Sequence, residues 1–169
     1  NDERFAPAGV LAPTSKADLA FTMHMLSWLS SKGTAAIVEF PGVLYRGGAE
    51  QKIRQYMIDN NFVDTVIQLP SDLFFGTSIA TCILVLKKNK SDNNILFVDA
   101  TDECVRNTNK NKLSDDNINN IINLLKDRKS VESKSYLATY DEIKDNDYNI
   151  SVNSYLKTNT DDNNIDIKE

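Results

Sequence analysis

Two apolar segments joined by a short polar one set the tightest limit on how this chain can fold. "FVDTVIQL" (Phe62–Leu69) and "IATCILVL" (Ile79–Leu86) both read as buried strands, and only "PSDLFFGTS" lies between them. A parallel return needs a crossover of about a dozen residues or more, so the second strand is expected to run antiparallel to the first. Its apolar side chains, Ile83 to Leu86, fall on both faces, which places it inside a sheet covered on both sides.

Upstream, "TAAIVEF" (Thr34–Phe40) reads as a strand that is apolar on both faces apart from Glu39 and is broken by Pro41-Gly42. A helix from about Ala49 to Asn60 follows, with Ile53, Tyr56 and Met57 at helical spacing. Strand, helix and strand of these lengths form a βαβ unit, which predicts a parallel pair with a right-handed crossover. In open α/β sheets ligands sit beyond the carboxyl ends of the parallel strands. Those ends lead into "PGVLYRGGAE" and "PSDLFFGTS", so Arg46, Gly47 and Gly48 on one loop and Phe74, Phe75 and Thr77 on the other are the candidates for a functional rim. Gly47-Gly48 at a helix start, beside Arg46, either holds an anion on backbone N–H groups or is a plain entry to the helix. Phe74 and Phe75 either cap a core or line a pocket.

The first element is a helix. Ser15 and Asp18 match a capping box, and Gly33 after Lys32 supplies a left-handed stop. Leu19, Met23 and Leu26 form one stripe and Phe21, Met25 and Trp28 another, which predicts burial over much of the circumference. His24, the single histidine, projects between the stripes and reads as a packed residue, since no Cys or Ser partner accompanies it. Downstream, "NILFVDAT" (Asn94–Thr101) is a further strand and "DECVRNTNKNKLS" a polar loop. A helix from Asp115 to about Arg128 follows Ser114 and buries Ile118, Ile121, Ile122 and Leu125. Thr139 and Glu142 form a capping box that opens a short helix, and "DYNISVNSYL" is a mixed, extended coda. The expected organisation is residues 1–100 as one unit, 101–156 as a small, mainly helical C-terminal region, and 157–169 as a tail too polar to pack.

Composition narrows the function. A net charge of −5 without a run of Lys or Arg is a poor match for a protein that grips DNA by itself, because neutralised phosphates supply most of that affinity. Cys82 and Cys104 show no Cys-x-x-Cys or Cys/His spacing and read as structural thiols, so no metal is expected. Asp2, Glu3, Asp64, Asp72 and Asp99 show no spacing that singles out an acid–base pair and read as solvated faces. No apolar run approaches the ~18 residues that span a bilayer, and the start is unlike a signal peptide, so no membrane partner and a cytoplasmic location are expected.

The ordered run of "ADLAF", "GTAAIV", "GVLYRGG" and "LPSDLFFGTSI", continuing through "NILFVDAT" and "YDEIKDNDYNISVNSYL", closely resembles the modification (M) subunit of type I restriction–modification systems. These are adenine-specific DNA methyltransferases. The resemblance implies the distal half of a Rossmann-like α/β sheet, with parallel strands and an antiparallel last strand inserted between its neighbours. It implies S-adenosylmethionine as the methyl donor of the full-length enzyme, and a target adenine taken out of the duplex. An aromatic side chain of the loop matching "LFFGT" would pack on that base, which points to Phe74 ahead of Phe75. Neither the Gly-rich cofactor turn nor the N-P-P-[FY] tetrapeptide of the family occurs in the sequence. The expectation is therefore a C-terminal part of an M subunit that lacks catalytic residues and binds no cofactor by itself. It would reach DNA through an assembled complex with a specificity (S) subunit and a restriction (R) subunit. The alternative is a non-catalytic module that docks the S subunit.

Overall fold

The structure, a computed structural model, describes residues 2–156. The expected tail from 157 onward lies outside the described residues. Helix α1 (Asp18–Trp28) leads into β1 (Thr34–Glu39), a 3-10 turn at Pro41–Leu44, α2 (Ala49–Asp59) and β2 (Val63–Gln68). Then come β3 (Cys82–Lys87), β4 (Ile95–Asp99), a hairpin of β5 (Val105–Asn107) and β6 (Lys110–Lys112), α3 (Asp115–Asp127), β7 (Ser135–Ala138) and α4 (Tyr140–Asp145). Five strands make one mixed sheet in the order β1-β3-β2-β4-β7.

The short connection behaves as expected: β3 is antiparallel to β2, with Val66 opposite Leu84 and Gln68 opposite Cys82. It also pairs antiparallel with β1, Glu39 opposite Cys82, so it lies between the two strands of the βαβ unit. Thus β1 and β2 run the same way without touching, and the adjacent parallel pair is β2 with β4. The strand starts at Cys82, later than Ile79, because the loop closes on itself first, the Ile79 N–H donating to Thr77 Oγ1 at 3.1 Å.

Both faces of the sheet are covered, unequally. Cys82, Leu84, Leu86, Ile95 and Phe97 face α1 and α2 in the larger core, while Ile67, Leu96 and Val98 meet α3 in a smaller one. Residues beyond 100 share this architecture, since β7 pairs with β4, and Ile143, Ile150 and Val152 join the larger core. Instead of an extended coda, the last segment forms a 3-10 turn at Val152–Ser154 whose apolar side chains reach inward.

Several local expectations are corrected. Ser15 does not cap α1; the Lys16 N–H donates to the Pro13 carbonyl, which holds Ser15 within a turn, and Ala17 takes the cap position without a side-chain bond. Gly33 is not a left-handed stop. The helix ends at Trp28, and a Cβ on Gly33 would lie 2.6 Å from Leu29 Cδ1, the end of a side chain that can turn aside. Of the two α1 stripes only Leu19, Met23 and Leu26 are buried, with Phe21 and Trp28 exposed. On α3, Ile121 is buried, but Ile118 and Ile122 are exposed because the helix meets the sheet along one narrow line. The capping boxes Ser114/Asn117 and Thr139/Glu142 are both formed, each worth about 1 kcal/mol.

Candidate functional site

Where β1 ends and β3 begins, the surface opens into a cleft of about 240 Å³ lined by Asp18, Val38, Glu39, Phe40, Phe74, Thr77 and Thr81. Topology creates it. The insertion of β3 beside β1 carries the Phe74 loop back across the carboxyl end of β1, against the first turn of α1. Phe74 and Thr77 line this cleft, and Phe74 is 42% exposed. Phe75 is 100% exposed and outside the lining, so the two aromatics are placed differently.

The loop that carries them is held from outside by the β5–β6 hairpin, an element within the stretch read above as a plain polar loop. The Asn111 N–H donates to the Asp72 carbonyl at 3.0 Å, and its side-chain amide to the Ser71 carbonyl at 2.9 Å. Lys110 Nζ donates to the Thr77 carbonyl at 2.9 Å, and Arg106 and Lys110 reach the Asp72 carboxylate at 3.4 and 3.8 Å. Asp72 itself is left-handed, with φ 56°, a conformation that Asp tolerates better than most residues. The signal in the sequence was Thr108-Asn109, a two-residue turn between the paired Asn107 and Lys110, with Thr108 at φ 54°.

Glu39, the acidic residue that stood out in an apolar strand, is 6% exposed. Its Oε1 accepts a hydrogen bond from the Thr22 hydroxyl of α1. Burial pushes its carboxyl above the ordinary range, the Thr22 bond opposes this, and the nearby Asp18 carboxylate adds to it. Thr81 is 5% exposed, and its Oγ1 has no hydrogen-bond partner among the described residues. Neighbouring Cys82 is a buried free thiol pushed up to about 12 by burial, which makes it inert as a nucleophile.

The other rim candidates lie elsewhere. Arg46, Gly47 and Gly48 do not line the cleft. The Arg46 guanidinium pairs with buried Glu50 at 3.3 Å and lies over Gly42, where a Cβ would meet Nη2 at 2.2 Å. Gly48 has φ 69°, a conformation that favours glycine at this entry to the helix, with nothing within 4 Å of a Cβ, and Gly47 meets only Gln51 Oε1 at 3.9 Å. His24 is packed, stacked on Phe5 with ring centroids 5.4 Å apart and tilted against Trp28 at 5.0 Å.

The acids separate by role. Asp64 is not a solvated face; it is buried and paired with Arg128 at 3.2 Å and Lys87 at 3.5 Å, at the far end of the sheet from the cleft. Asp99 closes a turn by accepting from the Thr101 N–H and hydroxyl. Among the described residues no cluster of three His, Cys, Asp or Glu could hold a metal, and no helix is long and apolar enough to cross a membrane.

A family model for N-6 DNA methylases matches residues 1–164. The type I restriction enzyme MpnII methylase subunit of Mycoplasma pneumoniae is 48% identical over 169 residues, 99% of this chain and 31% of that protein. The MjaVIII methylase subunit of Methanocaldococcus jannaschii is 34% identical over 92% of this chain and 28% of its own length. A crystal structure of the type I restriction–modification system methyltransferase subunit from Streptococcus thermophilus superposes with a TM-score of 0.90 at 42% identity, covering 93% of this chain and 34% of that one. The chain spans about a third of the relatives it matches.

Proposed function

Because the chain belongs to the N-6 DNA methylase family and resembles its type I methylase subunits, we propose that it supplies one wall of the target-adenine pocket of such an enzyme. The observation that carries this reading is Phe74 on the wall of a cleft at the carboxyl end of β1. A flat aromatic face on a loop fastened by a hairpin is suited to stack a base taken out of the duplex. Such stacking is worth about 1–3 kcal/mol per base, against an extrusion cost of a few kcal/mol. S-adenosylmethionine supplies the methyl group in this family, and its binding residues, like the catalytic ones, belong to the remainder of the enzyme.

The flank beside the cleft supports a role within a larger assembly. In the described sheet β1 is the outer strand on this side, and its Val38 and Phe40, with Phe21 and Trp28 of α1, are exposed. An edge strand beside large apolar side chains is a hazard in an isolated domain. It is the surface expected where the rest of a methylase sheet continues. DNA affinity then comes from the assembled complex, with an S subunit reading the sequence and an R subunit as a further partner, which suits a chain of net charge −5. The reading as a docking module for the S subunit rests on the same apolar flank and differs in assigning Phe74 no base.

The test is Phe74→Ala in the methylase that contains this chain, with 2-aminopurine at the target position to read stacking and the corresponding adenine duplex to read methylation. Loss of base stacking in the fluorescence and at least a tenfold fall in methylation, at unchanged cofactor affinity, are expected. Unchanged methylation refutes the base wall and leaves the docking reading. For the chain by itself, calorimetry should detect no S-adenosylmethionine binding, and micromolar binding would contradict the assignment.

A further inference from the structure

Among the described residues three acidic side chains are buried, and one of them is treated differently. Glu50 is paired with Arg46, and Asp64 with Lys87 and Arg128. Glu39 is equally buried, yet among the described residues no cation lies within ion-pairing distance and its side chain receives a single hydrogen bond, from Thr22. Removing a carboxyl from water without a cation is costly, and the group becomes neutral more readily than it stays charged. Beside it Thr81 buries a hydroxyl oxygen without a partner, a condition that costs about 1–3 kcal/mol when nothing offsets it. Both residues line the cleft that Phe74 walls.

We infer that Glu39 and Thr81 form the hydrogen-bonding wall of this cleft and donate to ring nitrogens of the nucleobase stacked on Phe74. The inference rests on the base-pocket reading above and deepens it by assigning the residues that read the edge of the base. Thr22 occupies Oε1 of Glu39, so the free oxygen, Oε2, carries the proton of a neutral carboxyl. Burial and the Asp18 carboxylate favour that neutral form. A neutral acid and a hydroxyl present two O–H donors. Adenine offers only acceptors at N1, N3 and N7, whereas guanine carries an N–H at N1 that would meet a donor head-on. A donor at N1 thus favours adenine over guanine, independently of the exocyclic amine that receives the methyl group, whereas a donor at N3 or N7 serves both purines. Structural use of Glu39 alone would leave Thr81 unexplained, since the Thr22 bond does not involve it.

The experiment uses the methylase containing this chain and duplexes whose target adenine is replaced in turn by its 1-deaza, 3-deaza and 7-deaza analogues, each of which turns one acceptor into C–H. Two of these replacements should each lower wild-type kcat/KM about tenfold, one for each donor. Thr81→Val, which keeps the side-chain shape, should lower kcat/KM about tenfold on adenine and lose little more on one of those two analogues. Glu39→Leu should behave likewise with the other, and Glu39→Gln, which restores an N–H donor, should recover most of the loss. The inference is overturned if neither variant interacts with any of the three analogues, or if Glu39→Gln is as impaired as Glu39→Leu. Phe74→Ala is scored separately by 2-aminopurine stacking. If stacking depends on Phe74 while the deaza analogues show no coupling, the base pocket stands and this inference alone fails.

Discussion

Replacing Arg54 by Met should cost the fold about 2–6 kcal/mol, and the sum behind that figure separates a buried charge from the groups it serves. Arg54 is 1% exposed on α2, and its guanidinium donates to the Tyr148 carbonyl through Nε and to the Val43 carbonyl through Nη1, both at 3.0 Å. It fastens the C-terminal segment and the turn after β1 to one helix. Burial lowers its pKa to about 10, roughly 3 kcal/mol against the cation at about 1.36 kcal/mol per unit. Two charge-assisted hydrogen bonds at about 1.5–3 kcal/mol each oppose that, so the cation itself comes out close to neutral. What the substitution adds is two carbonyls left unpaired, at about 1–3 kcal/mol each. For a chain of this size the loss corresponds to a fall of about 5–15 °C in Tm. Urea denaturation followed by circular dichroism measures it, and Arg54→Lys, with one head for two carbonyls, should fall between. A loss below about 1 kcal/mol for Arg54→Met would refute the reasoning.

Other expectations follow from titration and from the hairpin. Glu39 has a raised folded pKa, so its contribution to stability is complete below the unfolded value of about 4.3 and is lost as pH rises through the folded value. Glu39→Gln should therefore gain on wild type between pH 4 and pH 8 in urea midpoints, and parallel profiles would contradict the burial argument. Lys90 donates to the Val63 and Asn94 carbonyls at 2.7 Å, and burial lowers its pKa to about 8. The unfolded chain holds this proton to about 10.4, so stability should rise from pH 8 towards pH 10, a slope that Lys90→Met should abolish. Asp72→Asn keeps the left-handed residue but removes two partly exposed ion pairs worth at most about 1 kcal/mol each. Hydrogen exchange in residues 71–78 should quicken with little change in Tm, and unchanged exchange would show that the backbone bonds to Asn111 suffice.

Connection length was the most legible part of the fold. Pro70–Ser78 is too short for a crossover, and β3 returned antiparallel as steric reach demands. Its position between β1 and β2 was not legible from reach, because strand order depends on which edge an antiparallel strand finds, a choice made by packing in three dimensions. The same limit applies to α1. Two apolar stripes signal two surfaces that avoid water, yet nothing in the spacing says that Leu19, Met23 and Leu26 meet the sheet while Phe21 and Trp28 face outward. The β5–β6 hairpin was hidden by composition, since its residues are polar and it pairs across the surface, where no apolar alternation marks a strand.

The candidate site shows the same division more sharply. Phe74 and Phe75 are adjacent and chemically identical, so sequence alone ranks them only by resemblance; the backbone separates them, Gly76 at φ 80° and Asp72 at φ 56° turning one ring to the cleft and leaving the other fully exposed. Glu39 was visible as an anomaly in an apolar strand, but its meaning depends on parity. Side chains alternate along β1, and the register that puts Glu39 opposite Cys82 sends Glu39 inward and leaves Val38 and Phe40 outside. A shift by one residue would expose the carboxyl and bury Phe40, the arrangement hydrophobicity alone favours. The observed register places a carboxyl without a cation where β1 meets the Phe74 loop, against the simplest partition of polar and apolar groups. A local rule broken at the cleft, and kept along the rest of β1, is where function is expected to outweigh stability.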